Sequence, residues 1–158
     1  MNATTAKQLL AACATVLVGI AGSAEGALPE NGHDRNVAST EKWQTDPALQ
    51  QGMLSIRDIV EQNLPAIRAG DFRYRQYSDL GKAVEAQVAY IASNCDLEPE
   101  ADAVLHDLLA ELWDGVDGVA GRMNVGGRSK GADRIVSALD HYSQHFDHPG
   151  WTALESGL

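Results

Sequence analysis

The sequence predicts an all-α protein, an antiparallel up-down-up-down four-helix bundle. Apolar residues recur at steps of three and four positions in four separate stretches, turn signals separate those stretches, and no strand-like alternation of useful length occurs. Helices of this length that are joined by short loops pack most simply as antiparallel neighbours. We therefore expect the bundle to occupy residues 46–148.

The first predicted helix begins at Asp46, a typical N-cap residue, and Pro47 takes the first helical position, where its missing N–H removes no hydrogen bond. Gly70 marks the end of this helix. Its apolar stripe is Leu49, Met53, Ile56, Val60, Leu64 and Ile67. The second predicted helix spans residues 72–94 or 78–94. Its inward residues are Leu80, Val84, Val88 and Ile91.

The third predicted helix begins at Pro99, and Glu100 and Asp102 lie in its first turn, where negative charge favours the positive end of the helix dipole. Its stripe is Ala101, Leu105, Leu108, Leu109, Leu112, Val116 and Val119. Glycines at positions 115, 118, 121, 126, 127 and 131 are expected to fray its end and form a flexible connection. The fourth predicted helix runs from about Ser129 to His145. It is expected to bury Ile135, Leu139, Tyr142 and Phe146.

Residues 1–24 resemble a secretory signal peptide. Lys7 supplies a positive charge, "LLAACATVLVGIAG" is a short apolar run, and "GSAEGA" offers small residues for cleavage, after Ala24 or alternatively after Gly26. The apolar run is shorter than the roughly 20 residues that a membrane-spanning helix needs. The sequence thus predicts export to the periplasm of a Gram-negative-like envelope, with no membrane span. We interpret residues 25–45 as a flexible N-terminal arm and residues 149–158 as a C-terminal tail.

Of the two cysteines, Cys13 lies in the predicted signal peptide and Cys95 lies in the predicted bundle. The segment "LAAC" at residues 10–13 resembles a lipoprotein lipobox, but most of the apolar run follows Cys13, which argues against lipid attachment. If Cys13 leaves with the signal peptide, Cys95 is the only cysteine of the mature chain, and no intramolecular disulfide can form. Dimerisation through Cys95 is then an open alternative.

The chain is acidic, with a formal net charge of -10 from 12 basic and 22 acidic residues. Such a charge repels nucleic-acid phosphates and anionic lipid surfaces, so we set nucleic-acid binding aside. It suits metal ions or cationic partners, and it also suits a surface that simply maintains solubility.

Several residues able to bind a metal fall at one end of the predicted bundle. With a rise of 1.5 Å per residue, Met53 lies about 9 Å and His106 about 10 Å inside their helix starts, and His141 lies about 8 Å from the end of its helix. Cys95 belongs to the same end. At 100° per residue, Met53 faces the core, while His145 lies about 90°, His106 about 110° and His141 about 130° from the centres of their stripes. Met53 with His145 is therefore the best predicted inward pair.

Met53 in "QQGMLSIRD" and His145, or alternatively His141, in "DHYSQHFDH" give the chain a resemblance to the soluble periplasmic b-type cytochromes of the four-helix-bundle class. The resemblance implies a non-covalent b-type haem with these two side chains as axial ligands. The related c-prime cytochromes attach haem through a Cys-x-x-Cys-His sequence, which this chain lacks.

Cysteine and further histidines add soft and borderline ligands that the haem pattern does not use. The candidate metal ligands are Met53, Cys95, His106, His141, His145 and His148. Such a set favours a copper ion, Cu(I) especially, with zinc next, while Glu98 and Asp102 could supply oxygen ligands for a harder cation. Each residue also has an ordinary structural explanation: Met53 as core filler, Cys95 as a small buried residue, and His145 as a charge at a helix end.

No catalytic motif is recognised in the predicted helices. They contain no Glu-x-x-His of a di-iron site, and the chain has no His-Glu-x-x-His of a zinc peptidase. We therefore predict a protein that is not an enzyme, namely a carrier, sensor or electron-transfer module for a metal ion or haem. The alternative is a metal-free interaction protein that docks an envelope partner through Trp43, Trp113 and Trp151, which lie outside the apolar stripes.

Overall fold

The computed structural model describes residues 41–122 and 127–155, and this part of the chain contains four helices and one pair of two-residue strands. The helices are α1 (Pro47–Arg68), α2 (Tyr74–Asn94), α3 (Pro99–Ala120) and α4 (Arg128–His145). The strands are β1 (Trp43–Gln44) and β2 (Phe146–Asp147). The all-α prediction is confirmed. The predicted signal peptide and residues 25–40 of the predicted arm lie outside the described residues.

The helix starts follow the local signals in the sequence. At α1, the Leu49 N–H donates to Asp46 Oδ1 at 2.6 Å, so Asp46 is the predicted N-cap. Helix α2 begins at Tyr74, between the two predicted starts, and the Gln76 side chain accepts a hydrogen bond from the Arg73 N–H at 2.9 Å. This bond satisfies one of the N–H groups that every helix start leaves unpaired.

The core forms from the predicted apolar stripes. Every residue of the four stripes is buried, from Leu49 at the start of α1 to Phe146 just after α4. Each helix contacts the next helix along the chain, and α1 also contacts α4. Within residues 41–122 and 127–155, no helix is both long enough and apolar enough to cross a membrane.

Three of the glycines that were expected to form a flexible connection lie inside helices instead. Gly115 and Gly118 belong to α3, Gly131 belongs to α4, and all three are buried. A Cβ atom at Gly118 would lie 2.7 Å from the Cα atom of Gly131. The prediction of frayed ends was therefore wrong for these residues, because the missing side chains let the backbones of α3 and α4 approach each other closely.

The strand pair was not predicted, and it orders the last residues of the predicted flexible arm. Strands β1 and β2 are parallel, with Trp43 opposite Phe146 and Gln44 opposite Asp147. The Thr45 hydroxyl adds a 2.8 Å hydrogen bond to the Asp147 carbonyl oxygen. Residues 43–45 are thus attached to the chain that leaves α4, because a pairing between distant segments overrides the polar composition of the arm.

The described part of the predicted tail also packs on the helices. Trp151 and Leu154 are partly buried against the core. The Arg57 Nε–H donates to the Thr152 carbonyl oxygen at 2.5 Å, and an Arg68 guanidinium N–H donates to the Glu155 carbonyl oxygen at 2.5 Å. Two arginines of α1 therefore hold the tail along that helix.

Candidate functional site

Three of the predicted histidines lie at the surface. The side chain of His106 is 71% exposed and lies 3.4 Å from the Asp102 carboxylate on the same helix. His141 is 48% exposed, and its Nδ1 lies 2.8 Å from Glu111 Oε2 of α3. His145 is exposed as well.

The prediction that Met53 and His145 both face inward is wrong for His145. Met53 is fully buried in the core, whereas His145 lies at the surface on the last residue of α4. The physical reason is that His145 belongs to the flank of its helix, while Tyr142 and Phe146 occupy the centre of the buried face. The structure therefore buries one of the two side chains that the resemblance implies as haem ligands and exposes the other.

His148 is the one predicted histidine that the structure buries, with 7% of its surface exposed. A 2.7 Å hydrogen bond joins its Nδ1 to the hydroxyl oxygen of Tyr142, which is completely buried. Burial lowers the pKa of His148, because the apolar surroundings disfavour the charged imidazolium. His148 is thus held neutral beside a buried phenol.

Trp151 completes an aromatic cluster around the same tyrosine. Its ring centroid lies 4.9 Å from that of Tyr142 and 5.1 Å from that of His148. The Tyr142 and His148 rings are perpendicular, with centroids 5.8 Å apart. The indole Nε1–H is buried and, within the described residues, has no hydrogen-bond partner. Packing alone therefore holds the indole in place.

Cys95 lies at the end of α2 beside the start of α1. The Asp46 carboxylate interacts electrostatically with the thiol, and its Oδ2 accepts a hydrogen bond from the Asp96 N–H at 2.7 Å. Burial raises the pKa of Cys95 to about 12, and the negative charges of Asp46 and Asp102 add to the shift. Cys95 is therefore a protonated thiol at neutral pH.

Cys95 acts on the same tyrosine through its charge. Burial is the largest cause of a raised Tyr142 pKa, and the charges of Cys95 and Asp46 raise it further. The hydrogen bond places the His148 imidazole directly against the phenol. We call the group Tyr142, His148 and Trp151 the Tyr142 cluster.

His148 of the Tyr142 cluster is a borderline donor, and Cys95, whose charge acts on Tyr142, is a soft donor. In the described ranges, 41–122 and 127–155, no three residues of the His, Cys, Asp and Glu types are grouped closely enough to hold a metal ion. An ion at this site would therefore depend on two such donors and on the aromatic rings. Thiolate and imidazole together are a ligand pair that Cu(I) accepts.

Two members of the cluster were not predicted as site residues. Tyr142 was expected only as a buried core residue, and Trp151 only as an exposed aromatic for a partner. His148 lies six residues and Trp151 nine residues after Tyr142, and both lie beyond the end of α4. The spacing of three or four residues that brings side chains together on a helix therefore does not predict these contacts. The one available signal was the density of histidine and aromatic residues in "HYSQHFDHPGW".

Comparison with protein-family models, with curated proteins and with solved structures finds no match to the chain.

Proposed function

We propose that the protein is an exported four-helix bundle that binds a copper ion, as Cu(I), at the Tyr142 cluster and acts as a copper carrier or sensor. The observation that carries the proposal is that the buried Tyr142 hydroxyl forms a hydrogen bond with His148, while the charge of Cys95, from a segment far away in the sequence, contributes to the raised pKa of the same phenol. The predicted periplasmic location belongs to the proposal.

Three contacts between helices support the antiparallel up-down-up-down arrangement of the bundle. Gly52 near the start of α1 lies against Ile91 near the end of α2. Gly81 in the first half of α2 lies against Val119 at the end of α3, and Gly118 of α3 lies against Gly131 at the start of α4. In each pair the early part of one helix meets the late part of its neighbour, which is the pattern of antiparallel packing.

The charge around Cys95 favours a thiolate bound to a cation over a free thiolate. Asp46 and Asp102 oppose the negative charge of a bare thiolate, so the thiol keeps its proton. Cys95 would hold a Cu(I) ion through its sulfur after releasing the thiol proton to solvent, and the positive charge of the ion would then interact favourably with the two carboxylates. The same aspartates therefore attract the cation.

The hydrogen bond between Tyr142 and His148 supports the assignment of His148 as the second ligand, beside Cys95. When the Nδ1–H of the imidazole donates to the tyrosine oxygen, the lone pair of Nε2 is free to bind a metal ion. Metal-binding histidines usually have such a partner on the other ring nitrogen, which fixes the tautomer and the orientation of the ring. Tyr142 would have this positioning role for His148.

Met53 is a third candidate donor. It lies seven residues beyond Asp46 on α1, which is about 10 Å along the helix axis. Its thioether is of a type that binds Cu(I), but it is also fully buried among apolar residues, where methionine serves as core filler. Met53→Leu preserves the apolar volume and removes the sulfur, so it separates these two roles.

The experiment is a titration of the reduced protein with Cu(I) in competition with bathocuproine disulfonate, a coloured chelator of Cu(I). We expect binding of one Cu(I) per chain. Cys95→Ser and His148→Asn should abolish or strongly weaken it, and the matched control His141→Asn, at an exposed imidazole, should bind as the wild type does. Absence of Cu(I) binding by the wild type, or unchanged binding by Cys95→Ser, would contradict the proposal.

Haem binding stays a separate prediction with its own measurement. Haemin added to the metal-free protein should give a Soret band that Met53→Leu and His145→Asn both abolish if the resemblance to the b-type cytochromes extends to the ligands. A band that only His148→Asn removes would assign the haem to the Tyr142 cluster instead.

The second candidate function is docking of an envelope protein, and exposed aromatics favour it. Trp43 and Trp113 are each 37% exposed, and such residues are enriched at protein interfaces. Trp151, the third tryptophan of that prediction, is partly buried against the core instead. The double variant Trp43→Ser, Trp113→Ser should lose a partner that the wild type retains on an affinity column loaded with periplasmic extract.

A further inference from the structure

The chain that follows the Tyr142 cluster runs along the seam between α1 and α4. On the α1 side, residues 152–155 border a cavity of about 300 Å³, whose other lining residues are Arg57, Glu61, Leu64, Pro65 and Arg68. On the α4 side, Ala153 and Leu154 lie beside Val136, Leu139 and Asp140. We call the space between these two helix faces the α1–α4 groove and residues 152–155 the tail segment.

The α1 side of the groove is a single stripe of that helix. Arg57 and Arg68 are eleven positions apart, which at 100° per residue leaves them only about 20° apart in direction. Leu64 lies between them and is buried in the core. The Arg57 side chain is 13% exposed, and Arg68 is exposed. The stripe therefore has an apolar middle and a guanidinium group towards each end.

The tail segment is held in the way that a bound peptide is held. Arg57 donates a hydrogen bond to the Thr152 carbonyl oxygen, and Arg68 donates one to the Glu155 carbonyl oxygen. Leu154 packs partly buried against the core. Among the described residues, the tail segment forms no backbone–backbone hydrogen bond and belongs to no helix or strand. Both arginines thus bind main-chain oxygens, which any peptide offers, and Leu154 is the apolar anchor.

We propose that the α1–α4 groove binds a non-helical segment of a partner protein and that the tail segment is an internal competitor which this partner displaces. The inference goes beyond copper binding and does not depend on it. The partner segment presents carbonyl oxygens to Arg57 and Arg68 and a leucine-like side chain at the place of Leu154. Next to that anchor it carries a side chain larger than that of Ala153.

The unfilled space in the groove favours such a partner over a second copy of this chain. The tail of a second copy offers the same contacts as the tail that is already in place, so it gains nothing by exchange. The internal tail also has an effective concentration in the millimolar range, which a competitor must overcome. A segment with a larger side chain at the place of Ala153 buries more apolar surface, because it enters the cavity that Ala153 lines.

The experiment measures the binding of two fluorescein-labelled peptides to the full chain by fluorescence anisotropy. One peptide has the sequence of residues 150–158, and the other is the same peptide with Ala153→Leu. The Ala153→Leu peptide should bind about 10-fold more tightly, since its three added carbon atoms are buried. In the full chain, Leu154→Asp should raise the affinity for this peptide by about 10-fold, because it releases the internal competitor.

A second pair of variants tests whether the peptide lies in the groove. Arg57→Met, introduced into the Leu154→Asp chain, removes the donor to the first carbonyl oxygen and should weaken peptide binding by about 10-fold. Arg75→Met is the matched control, because Arg75 is an exposed arginine of α2 that does not line the groove. This variant should bind the peptide as the Leu154→Asp chain does.

Each outcome supports or overturns the proposal. It is overturned if the Leu154→Asp chain binds neither peptide, if it binds the Ala153→Leu peptide no more tightly than the wild type, or if Arg57→Met changes nothing. A dimer of the wild type that Leu154→Asp abolishes, as measured by sedimentation velocity, would assign the groove to the tail of a second copy and overturn the partner segment. If Leu154→Asp fails to fold, Leu154→Ala replaces it, and an affinity equal to that of the wild type overturns the proposal.

Discussion

The two ends of helix α4 are held by opposite means. At its start, Gly131 lies directly against the backbone of Gly118, and no side chain separates the two helices. At its end, Tyr142 packs against the rings of Phe146, His148 and Trp151. The first contact depends on the absence of side-chain atoms, and the second depends on their chemistry.

This difference explains where a binding site can form. Close contact between backbones fixes the separation of α3 and α4, but it offers no group that could bind a ligand. Around the end of α4 lie a buried imidazole, a buried phenol and a partly buried indole. A rigid contact at one end of a helix keeps the groups at the other end in register, which a binding site requires.

The largest effect is expected at the glycine contact. Gly118→Ala would place a Cβ atom 2.7 Å from the Gly131 Cα atom, and a backbone atom cannot move aside alone. We expect a loss of about 3 kcal/mol in the free energy of unfolding. Urea denaturation measures it.

Gly81→Ala is the matched control for that variant, since it is the same substitution inside a buried helix position. The nearest atom there is a Val119 methyl group at 3.2 Å, which can shift, and alanine gains about 1 kcal/mol in helix propensity over glycine. The control should therefore stay close to the wild type. Equal losses in the two variants would contradict the tight contact between α3 and α4.

The next largest effect is expected at the buried phenol. Tyr142→Phe keeps the ring and removes the hydroxyl, which leaves His148 Nδ1 buried without its partner. We expect a loss of about 1 to 3 kcal/mol in the free energy of unfolding. Tyr90→Phe, which removes a 3.3 Å hydrogen bond to the exposed Gln51, should lose less than about 0.5 kcal/mol in the same assay. Indistinguishable results would show that the buried hydrogen bond contributes no more than the exposed one.

The pH dependence of stability tests the burial of His148. Its pKa is lowered from the ordinary value of 6.5 in the folded state, so in this range the unfolded chain binds more protons than the folded one. The free energy of unfolding of the copper-free protein should therefore fall as the pH decreases through 6.5. His148→Gln should reduce this slope. A slope that His148→Gln leaves unchanged would contradict a buried neutral imidazole.

The smallest effect is a change in thiol reactivity at the same end of the molecule. The Asp46 carboxylate contributes to the raised pKa of Cys95, so Asp46→Asn should lower that pKa and increase the rate of reaction with a disulfide reagent at pH 8. Asparagine is an equally good N-cap, which limits the loss of stability. Asp58→Asn removes a carboxylate of α1 that pairs with Arg57, and it should leave the rate unchanged. Equal rates in wild type and Asp46→Asn would contradict the contact between Asp46 and Cys95.

The helices could be predicted from sequence because their signals are local. Asp46 and Pro47 fix the start of α1, and the apolar periodicity identifies every stripe residue. The glycines could not be assigned in this way. Gly118 and Gly131 lie on either side of the connection between α3 and α4. The sequence alone does not distinguish a glycine that ends a helix from one that allows two helices to pack closely. Only the contact between α3 and α4 distinguishes the two cases.

The candidate site was predicted in part for a related reason. Cys95 and His148 were among the expected ligands, and of the two His148 forms a hydrogen bond with the buried Tyr142 hydroxyl. A facing angle can be calculated for His145 because it belongs to α4, but His148 lies three residues past the end of that helix. Its burial depends on the pairing of β2 with β1 and on the Tyr142 hydroxyl, and neither follows from a helical period.

The parallel pairing of β1 with β2 determines how the molecule resists mechanical force. The chain enters the helices through Trp43 and leaves them through Phe146, and these two residues are partners in the same ladder. A force that pulls the two flanking segments in opposite directions acts along both strands at once, so it loads their hydrogen bonds together in shear instead of opening them one after another. The strand pair, with two residues from each side, therefore bears such a force together with the hydrogen bonds by which Arg57 and Arg68 hold Thr152 and Glu155 along α1.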